Sequence, residues 1–261
     1  MSNLYRTIGK QVYRYDTDFQ TNVLDVAASL KFLLPEKGTC IALDKFMRIL
    51  KFHGVFQILD TFANFALNNA GLSNFSLIDW KRTGIQYNPQ GGVYYTINGW
   101  EGNAISGYID TRFNPAVGNN KYTVHNASRA AILYKYAVSS NFIDGNIGGQ
   151  HMRNLNTTQQ RICSSLNINQ NADLTGSGLK AINRDSTNTV RLYNKNVEIS
   201  RTASSSIITN GNYWILRSTG NYGDAGISSY MMGASISQLQ MKEIRNAYNI
   251  MLTQLGLPPY A

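Results

Sequence analysis

Carboxylates are the residues of this chain that first raise a question of chemistry. A retaining glycoside hydrolase needs two carboxyl groups about 5 Å apart, which alternate positions of one strand can supply. Asp16 and Asp18 have that spacing but lie near the start of the chain, and Asp110 stands alone. The chain has only four glutamates, none with another carboxylate two residues away: Glu36, Glu101, Glu198 and Glu243. The sequence therefore gives no support for glycosidase chemistry.

The sequence also lacks the residue patterns expected for nucleophilic catalysis or for metal binding. The three histidines are His53, His125 and His151, and no Gly-x-Ser-x-Gly motif accompanies them. Cys40 and Cys163 are too few for a disulfide framework and cannot make a zinc site alone. We expect two buried free thiols, no metal and no cofactor, and we predict that the protein is not an enzyme.

Sugar binding is the chemistry for which the chain offers candidates. It needs an exposed aromatic ring with amides or carboxylates that hydrogen-bond to hydroxyls. Trp100 and Glu101, in a predicted turn, form one set, and Tyr222 and Asp224, in a glycine-rich loop, form another. Ordinary turn packing is the simpler explanation of each set, and both explanations stay open. Trp214 lies on a predicted strand and is assigned to the core.

The elements around these residues are mostly strands. Two apolar runs, Val93 to Ile97 and Ala104 to Phe113, flank a segment that begins with Asn98-Gly99, and this pattern predicts a β-hairpin. Ala130 to Val138 is almost continuously apolar, as expected for a central strand covered on both faces. Short strands then recur about every ten residues between polar turns, which favours a β-sandwich over βαβ units.

Helical spacing appears before and after the strands. Apolar residues from Ile41 to Asn68 recur at three and four positions, and Gly54 is expected to split this run into two helices. Ser237 and Gln240 have capping-box spacing at the start of the last helix. The apolar stripe of that helix is expected to cover the sandwich, with a trimer seam as the alternative: Met241, Ile244, Tyr248, Met251 and Leu255.

The chain divides into three segments on these patterns. Residues 1–38 form an N-terminal docking or anchor segment, 39–70 a helical segment, and 71–261 the sandwich with its closing helix. The first segment places aromatic residues in a polar background, which is typical of a surface that docks onto another protein. Packing of this segment beneath the sandwich is the alternative, and neither is preferred.

Three stretches, taken in order, resemble a known family. GYIDTRFNP (Gly107 to Pro115) resembles the opening strand of concanavalin A-like (laminin-G-like) lectin and glucanase domains, especially those of phages and prophages of Bacteroidetes. TVRLYNKNVEIS (Thr189 to Ser200) is similar to a hairpin of that family. The block from Gly226 to Gly256 is similar to its closing strand and helix. The order of the stretches, spanning about Leu43 to Gly256, carries the resemblance.

The resemblance implies both a fold and a role. The fold is mainly β, an antiparallel β-sandwich of concanavalin A-like jelly-roll type with an N-terminal helical segment and a C-terminal helix. The role is that of a bacteriophage virion structural protein, a head- or tail-fibre component that contacts host surface glycans or serves as a spacer. The implied partners are other virion proteins (capsid, portal or tail) and further copies of the chain, often as a trimer. A bacterial glycan-binding lectin or glycan-acting enzyme is the alternative.

Composition limits the remaining classes. The net charge is +9, but charged residues make up only 15% of the chain and the bases are scattered. We therefore expect no nucleic-acid partner, and attraction to an acidic capsid or an anionic bacterial surface instead. No apolar run has the length of a membrane span and no signal-peptide pattern opens the chain. The expected location is the virion, assembled in the cytoplasm of a host bacterium.

Overall fold

The structure is a computed structural model that describes residues 13–137, 142–153, 157–164, 168–171 and 176–260. Its helices are a π-helical turn at Phe19–Leu24, a 3-10 turn at Ala70–Leu72, α1 (Asp25–Ser29), α2 (Lys37–Phe52), α3 (Val55–Ile58), α4 (Ser73–Ser76) and α5 (Gln238–Gln254). Its strands are β1 (Leu59–Asn64), β2 (Asn88–Gln90), β3 (Tyr94–Thr96), β4 (Gly99–Glu101), β5 (Tyr108–Asp110), β6 (Ala127–Lys135), β7 (Phe142–Gly145), β8 (His151–Arg153), β9 (Thr157–Gln160), β10 (Ile168–Asn171), β11 (Gly178–Arg184), β12 (Thr189–Asn194), β13 (Val197–Thr202), β14 (Trp214–Ile215), β15 (Arg217–Ser218), β16 (Asn221–Tyr222) and β17 (Gly226–Gly233).

The larger sheet is antiparallel and lies in the middle of the molecule. Within the described residues it has eight strands, in the order β13-β12-β11-β6-β17-β4-β3, with β1 paired to β17 beside this path. Every residue of β11 and of β17 is buried. A strand covered on both faces must be apolar or hydrogen-bonded at every position, which explains the continuous apolar run in β6.

Two cores lie on opposite faces of this sheet. Alternate residues of β6 point to opposite sides, so Ala130 and Ile132 enter one core while Ala131 and Leu133 enter the other. The first core, which we call the helical core, is closed by α2 and α5. The second, the sandwich core, is closed by a smaller antiparallel sheet of order β2-β5-β14-β7-β8. The protein is thus three layers deep.

The smaller sheet contributes its inward residues to the sandwich core. Ile109, Ile143 and Ile215, from three of its strands, are completely buried there. Arg129 of β6 crosses from the larger sheet and donates from Nη1 to Asp144 Oδ1 of β7 at 2.5 Å, and both side chains are fully buried. The mainly β, antiparallel sandwich predicted from the sequence is confirmed, with a helix near the N-terminus and a C-terminal helix.

The C-terminal helix has the predicted start and the predicted buried face. The hydroxyl of Ser237 accepts from the backbone N–H of Gln240, and the side chain of Gln240 accepts from the N–H of Ser237, as in a capping box. Tyr248 packs edge-on to Phe46 of α2, with ring centroids 5.4 Å apart. Because the apolar stripe of α5 is buried in the helical core, that stripe is not available as a trimer seam.

The helical pattern between Ile41 and Asn68 is only partly correct. Helix α2 ends before Gly54, whose φ of +70° is the left-handed conformation, and α3 follows directly. The prediction of helix is wrong for Leu59–Asn64, which is strand β1 and pairs with β17. Phe62 of this strand enters the helical core and Ala63 the sandwich core. A strand buried on both faces loses the period of two, so its apolar residues can mimic helical spacing.

The hairpin predicted between Val93–Ile97 and Ala104–Phe113 is wrong in its second strand. Strand β3 pairs with β4, inside the expected turn segment, whereas β5 of the expected second strand belongs to the smaller sheet. Thr96 pairs with Gly99, so the turn consists of Ile97 and Asn98, and Trp100 lies on strand β4. A Cβ atom at Gly99 would collide with the carbonyl oxygen of Ile227 in β17. Gly99 therefore permits close approach of two strands instead of forming the turn. The placement of Trp100 in a turn is wrong for this reason.

The described part of the N-terminal segment packs against the helical layer. Phe19 and Val23 are completely buried in the helical core, and the ring of Phe19 lies 5.6 Å from that of Trp80. Lys51 of α2 forms ion pairs of 2.5 Å with both Asp16 and Asp18. The segment thus contributes to the core. Whether it also docks onto another protein stays a prediction.

Candidate functional site

The outer face of the smaller sheet carries a group of half-buried aromatic side chains. Strand β5 alternates, so Tyr108 and Asp110 face outward while Ile109 is buried. Trp214 of β14 is paired opposite Asp110 and Gln90 of β2 opposite Tyr108, so both share this outer face. The side chains that alternation turns away from the core therefore converge on one surface.

We call Tyr108, Trp214, Tyr222 and Arg217 the outer aromatic cluster. The ring centroid of Tyr108 lies 6.0 Å from that of Trp214 and 6.2 Å from that of Tyr222. The guanidinium carbon of Arg217 lies 4.2 Å from the Trp214 ring, 4.4 Å from Tyr108 and 5.2 Å from Tyr222. All four side chains are half-buried. Cation–π attraction holds the three rings around one cation. Since each ring is only half-buried, part of it stays in contact with solvent.

Hydrogen-bonding groups flank this cluster. The Asp110 carboxylate accepts from the amide of Asn212 at 3.2 and 3.3 Å and from the backbone N–H of Arg112 at 2.8 Å. Asn88 and Gln90 of β2 are half-buried on the same face. Amides and an oriented carboxylate beside an aromatic surface are the groups that bind sugar hydroxyls.

Arg217 is held in position by a hydrogen bond to the backbone. Its Nε donates to the carbonyl oxygen of Thr219 at 3.1 Å, within the short β15–β16 hairpin. That hairpin also carries Tyr222, which is paired opposite Arg217. The cluster is therefore assembled from two strands of the smaller sheet and from the β15–β16 hairpin.

The two predicted sets of site residues do not come together. Trp100 is only 7% exposed, packs in the sandwich core, and donates from Nε1 to the hydroxyl of Ser76 at 3.0 Å. Tyr222 belongs to the outer aromatic cluster, and Asp224 is half-buried between β16 and β17. The expectation that Trp100 offers an exposed ring is therefore wrong, because its strand turns the indole inward.

Glu101 is also removed from the surface. Its carboxylate accepts from the phenols of Tyr94 and Tyr134, the latter at 2.9 Å, and pairs with the ammonium of Lys135 at 2.5 Å. Burial alone would raise the pKa of Glu101, but Lys135 and the two phenols hold it below its ordinary value. With these partners Glu101 is a structural carboxylate of the sheet edge.

Trp214 was assigned to the core from its strand position, and this assignment is wrong. Its neighbour Ile215 is the buried member of the pair, whereas Trp214 is half-buried and faces outward. Tyr108 and Arg217 received no role from the sequence. The alternation of Tyr108, Ile109 and Asp110 was a usable signal, since it places a tyrosine and a carboxylate on one face.

The other chemical candidates lie elsewhere. Asp16 and Asp18 share Lys51, so that carboxylate pair ties the N-terminal segment to α2. Cys40 and Cys163 are free and buried as predicted, and burial raises the pKa of each thiol. Within the described residues no three His, Cys, Asp or Glu side chains are grouped as a metal site would require. In the same part of the chain, no helix combines the length and apolar character needed to cross a bilayer.

Comparison with known proteins gives only structural similarities. No family model and no curated protein sequence matches the chain. Domain 4 of AbnA, a GH43 extracellular arabinanase from Geobacillus stearothermophilus solved with arabinotriose, is 13% identical, with a TM-score of 0.48 over 72% of this chain and 98% of that domain. A sialidase from Trypanosoma rangeli is 8% identical, with a TM-score of 0.47 over 82% of this chain and 39% of the sialidase.

A third similarity is to the binding domain of botulinum neurotoxin serotype D. It is 10% identical, with a TM-score of 0.44 over 71% of this chain and 51% of that domain. The chain thus spans about half of the neurotoxin domain, and less of the sialidase. At such identities and TM-scores these similarities say nothing about activity, and the class of protein defined here is that of an antiparallel β-sandwich covered by helices.

Proposed function

We propose that this protein binds glycans and that the outer aromatic cluster is the surface on which a sugar ring stacks. The observation that carries the proposal is the convergence of Tyr108, Trp214 and Tyr222 around Arg217 on a solvent-facing sheet. An aromatic ring that is only half-buried keeps part of its apolar face in water, which a sugar ring can cover. The CH groups on one face of a pyranose provide that apolar complement.

Polar side chains beside the outer aromatic cluster would orient a bound sugar through hydrogen bonds. Asp110 can accept hydrogen bonds from two vicinal hydroxyls, and the amides of Asn88 and Gln90 can donate and accept. Arg217 supplies a further donor and favours sugars that carry a negative charge. A single stacking contact contributes about 1 kcal/mol, so useful adhesion requires several copies of the site acting together.

We further propose that the glycan is on a host bacterial surface and that the chain is a virion component, in a head or tail fibre. The family resemblance and the amide-rich, weakly charged composition support this role. On this proposal the chain assembles with other virion proteins and with copies of itself. The alternative is a bacterial lectin with the same sugar surface. That the protein is not an enzyme stays a prediction.

A glycan array followed by titration of the retained glycans tests the sugar surface. Trp214→Ala is expected to weaken binding about fivefold, since it removes one stacking contact. Phe52→Ala is the matched control, because Phe52 is 86% exposed at the end of α2, in the helical layer. Binding by Phe52→Ala should equal that of the unchanged protein.

Two outcomes would overturn the proposal. The first is that the unchanged protein, presented in multivalent form, retains no glycan of the array. The other is equal affinity of Trp214→Ala and the unchanged protein for a glycan that is retained. Thermal melting of both variants, compared with the unchanged protein, separates lost binding from lost folding.

A further inference from the structure

A cavity of about 460 Å³ lies between the β12–β13 hairpin and helix α5. It belongs to the helical side of the larger sheet, whereas the outer aromatic cluster lies on the outer face of the smaller sheet. Its walls combine the hairpin tip with one face of the helix: Tyr193, Lys195, Asn196, Gln238, Leu239, Met241, Lys242 and Arg245. The cavity is separate from the proposed sugar surface.

Helical geometry explains which side chains reach the cavity from α5. Gln238, Lys242 and Arg245 are spaced by four and three residues, so they lie on one face of the helix. On the other wall, the hairpin turn consists of Lys195 and Asn196, since Asn194 pairs with Val197. Lys195 has a φ of +59°, a left-handed conformation in which a turn ordinarily places Asn or Gly.

The charged side chains that line this cavity are all positive. Among the described residues its lining includes three cations, Lys195, Lys242 and Arg245, and no carboxylate. Three acids on the neighbouring segments form salt-bridge contacts with side chains that do not line the cavity. Asp185 and Glu198 both pair with Arg191, the latter at 3.3 Å, and Glu243 lies 3.6 Å from His53. The side chains that line the cavity thus carry a net positive charge.

Arg245 is fixed by a hydrogen bond to Asn196, and one of its N–H donors has no acceptor among the described residues. One terminal nitrogen of its guanidinium donates to the side-chain oxygen of Asn196 across the cavity wall. Its Nε is buried and has no acceptor among the described residues. A buried donor without an acceptor costs free energy unless a ligand or solvent satisfies it. The guanidinium also has terminal N–H groups beyond the one that Asn196 accepts.

The pKa of Lys180, a buried lysine next to this hairpin, also reflects the positive charge of Lys195. Lys180 is completely buried on β11, next to the strand that carries Lys195 into its turn. Burial, and after it repulsion from Lys195, lower the pKa of Lys180 to about 7. A negative charge near Lys195 would relieve that repulsion.

We propose that this cavity binds a small organic anion through a carboxylate or phosphate group. Lys195, Lys242 and the guanidinium of Arg245 would bind the charged group, and Leu239 and Met241 would contact its apolar part. Leu239 is 66% exposed, so a ligand there would also cover apolar surface. The site does not depend on the proposed glycan-binding function.

Calorimetric titration at low ionic strength with two probes, inorganic phosphate and glucuronate, tests this site. Binding of phosphate alone identifies a phosphate ligand, and binding of glucuronate alone identifies a carboxylate. Lys242→Gln is expected to weaken binding of the effective probe about fivefold, as for an exposed charge pair. Added salt should weaken it further. Lys45→Gln, at an exposed position on α2, is the matched control and should bind as the unchanged protein does.

Failure of both probes to bind at millimolar concentration would overturn the inference, as would equal affinity of Lys242→Gln and the unchanged protein. Trp214→Ala should bind the effective probe normally, because Trp214 is on the other sheet. Loss of anion binding in that variant would place the anion on the sugar surface and contradict a separate site. Melting curves of all variants confirm that each is folded.

Discussion

The two tryptophans at positions 100 and 214 show how strand position decides what one residue type does. Trp100 packs against Tyr95, with ring centroids 5.3 Å apart, and its indole nitrogen is satisfied by Ser76. Trp214 is half-buried in the outer aromatic cluster. The first ring therefore contributes to stability, and the second keeps part of its surface in contact with solvent.

We predict that Trp100→Ala lowers the free energy of unfolding by about 3–5 kcal/mol, the range for removing a large buried aromatic ring. Trp214→Ala should lower it by less than about 1 kcal/mol, as most surface changes do. Urea unfolding of the two variants measures both values. A smaller loss for Trp100→Ala than for Trp214→Ala would contradict the assignment of Trp100 to the core.

At the scale of elements, the short N-terminal helices are part of the folded core. Phe19 is completely buried, and the charged side chains around Lys51 fix the preceding residues to α2. A further contact is made by Asp44 of α2, which accepts from the hydroxyl of Tyr13 and the N–H of Asp16, both at 2.6 Å. Removal of this segment would expose one side of the helical core.

Phe19→Ala is predicted to cost about 3–5 kcal/mol of unfolding free energy, since it opens a cavity beside Trp80. Leu33→Ala is the control within the same segment, because Leu33 is 58% exposed and its loss should change little. Denaturant midpoints of the two variants give the comparison. If both variants melted like the unchanged protein, the segment would be an independent docking arm.

For the molecule as a whole, the buried Lys180 makes stability depend on pH. Its pKa falls from 10.5 to about 7 in the folded chain, chiefly because burial disfavours the ammonium. Between these values the unfolded chain binds a proton that the folded chain does not. The contribution of Lys180 to the free energy of unfolding therefore rises with pH across this window and is constant below it.

We predict that this contribution increases by about 2 kcal/mol from about pH 7 to about pH 9. Lys180→Met removes the titrating group and keeps a similar volume, so its stability should rise less over the same interval. Urea unfolding of both proteins at several pH values measures the difference in slope. Parallel profiles would show that Lys180 is not titrating with a lowered pKa.

The sequence by itself determined the class of fold and several of its elements. The continuous apolar run in β6 indicated a strand between two cores, and Ser237 with Gln240 marked the start of α5. Gly54 marked the break after α2. These features could be predicted because they depend on local capping, on backbone conformation at one glycine, or on burial of a whole strand.

Tertiary structure decided the rest, because pairing partners that are distant in sequence set which face of a strand is buried. Leu59–Asn64 became a strand through β17, which lies more than 160 positions later. Gly99 was required by the close approach of the same strand, and this moved Trp100 from the expected turn into the core. Trp214 faces solvent because β14 lies between β5 and β7 with Ile215 inward. No local pattern contains that information, since a shift of one residue would exchange the two faces.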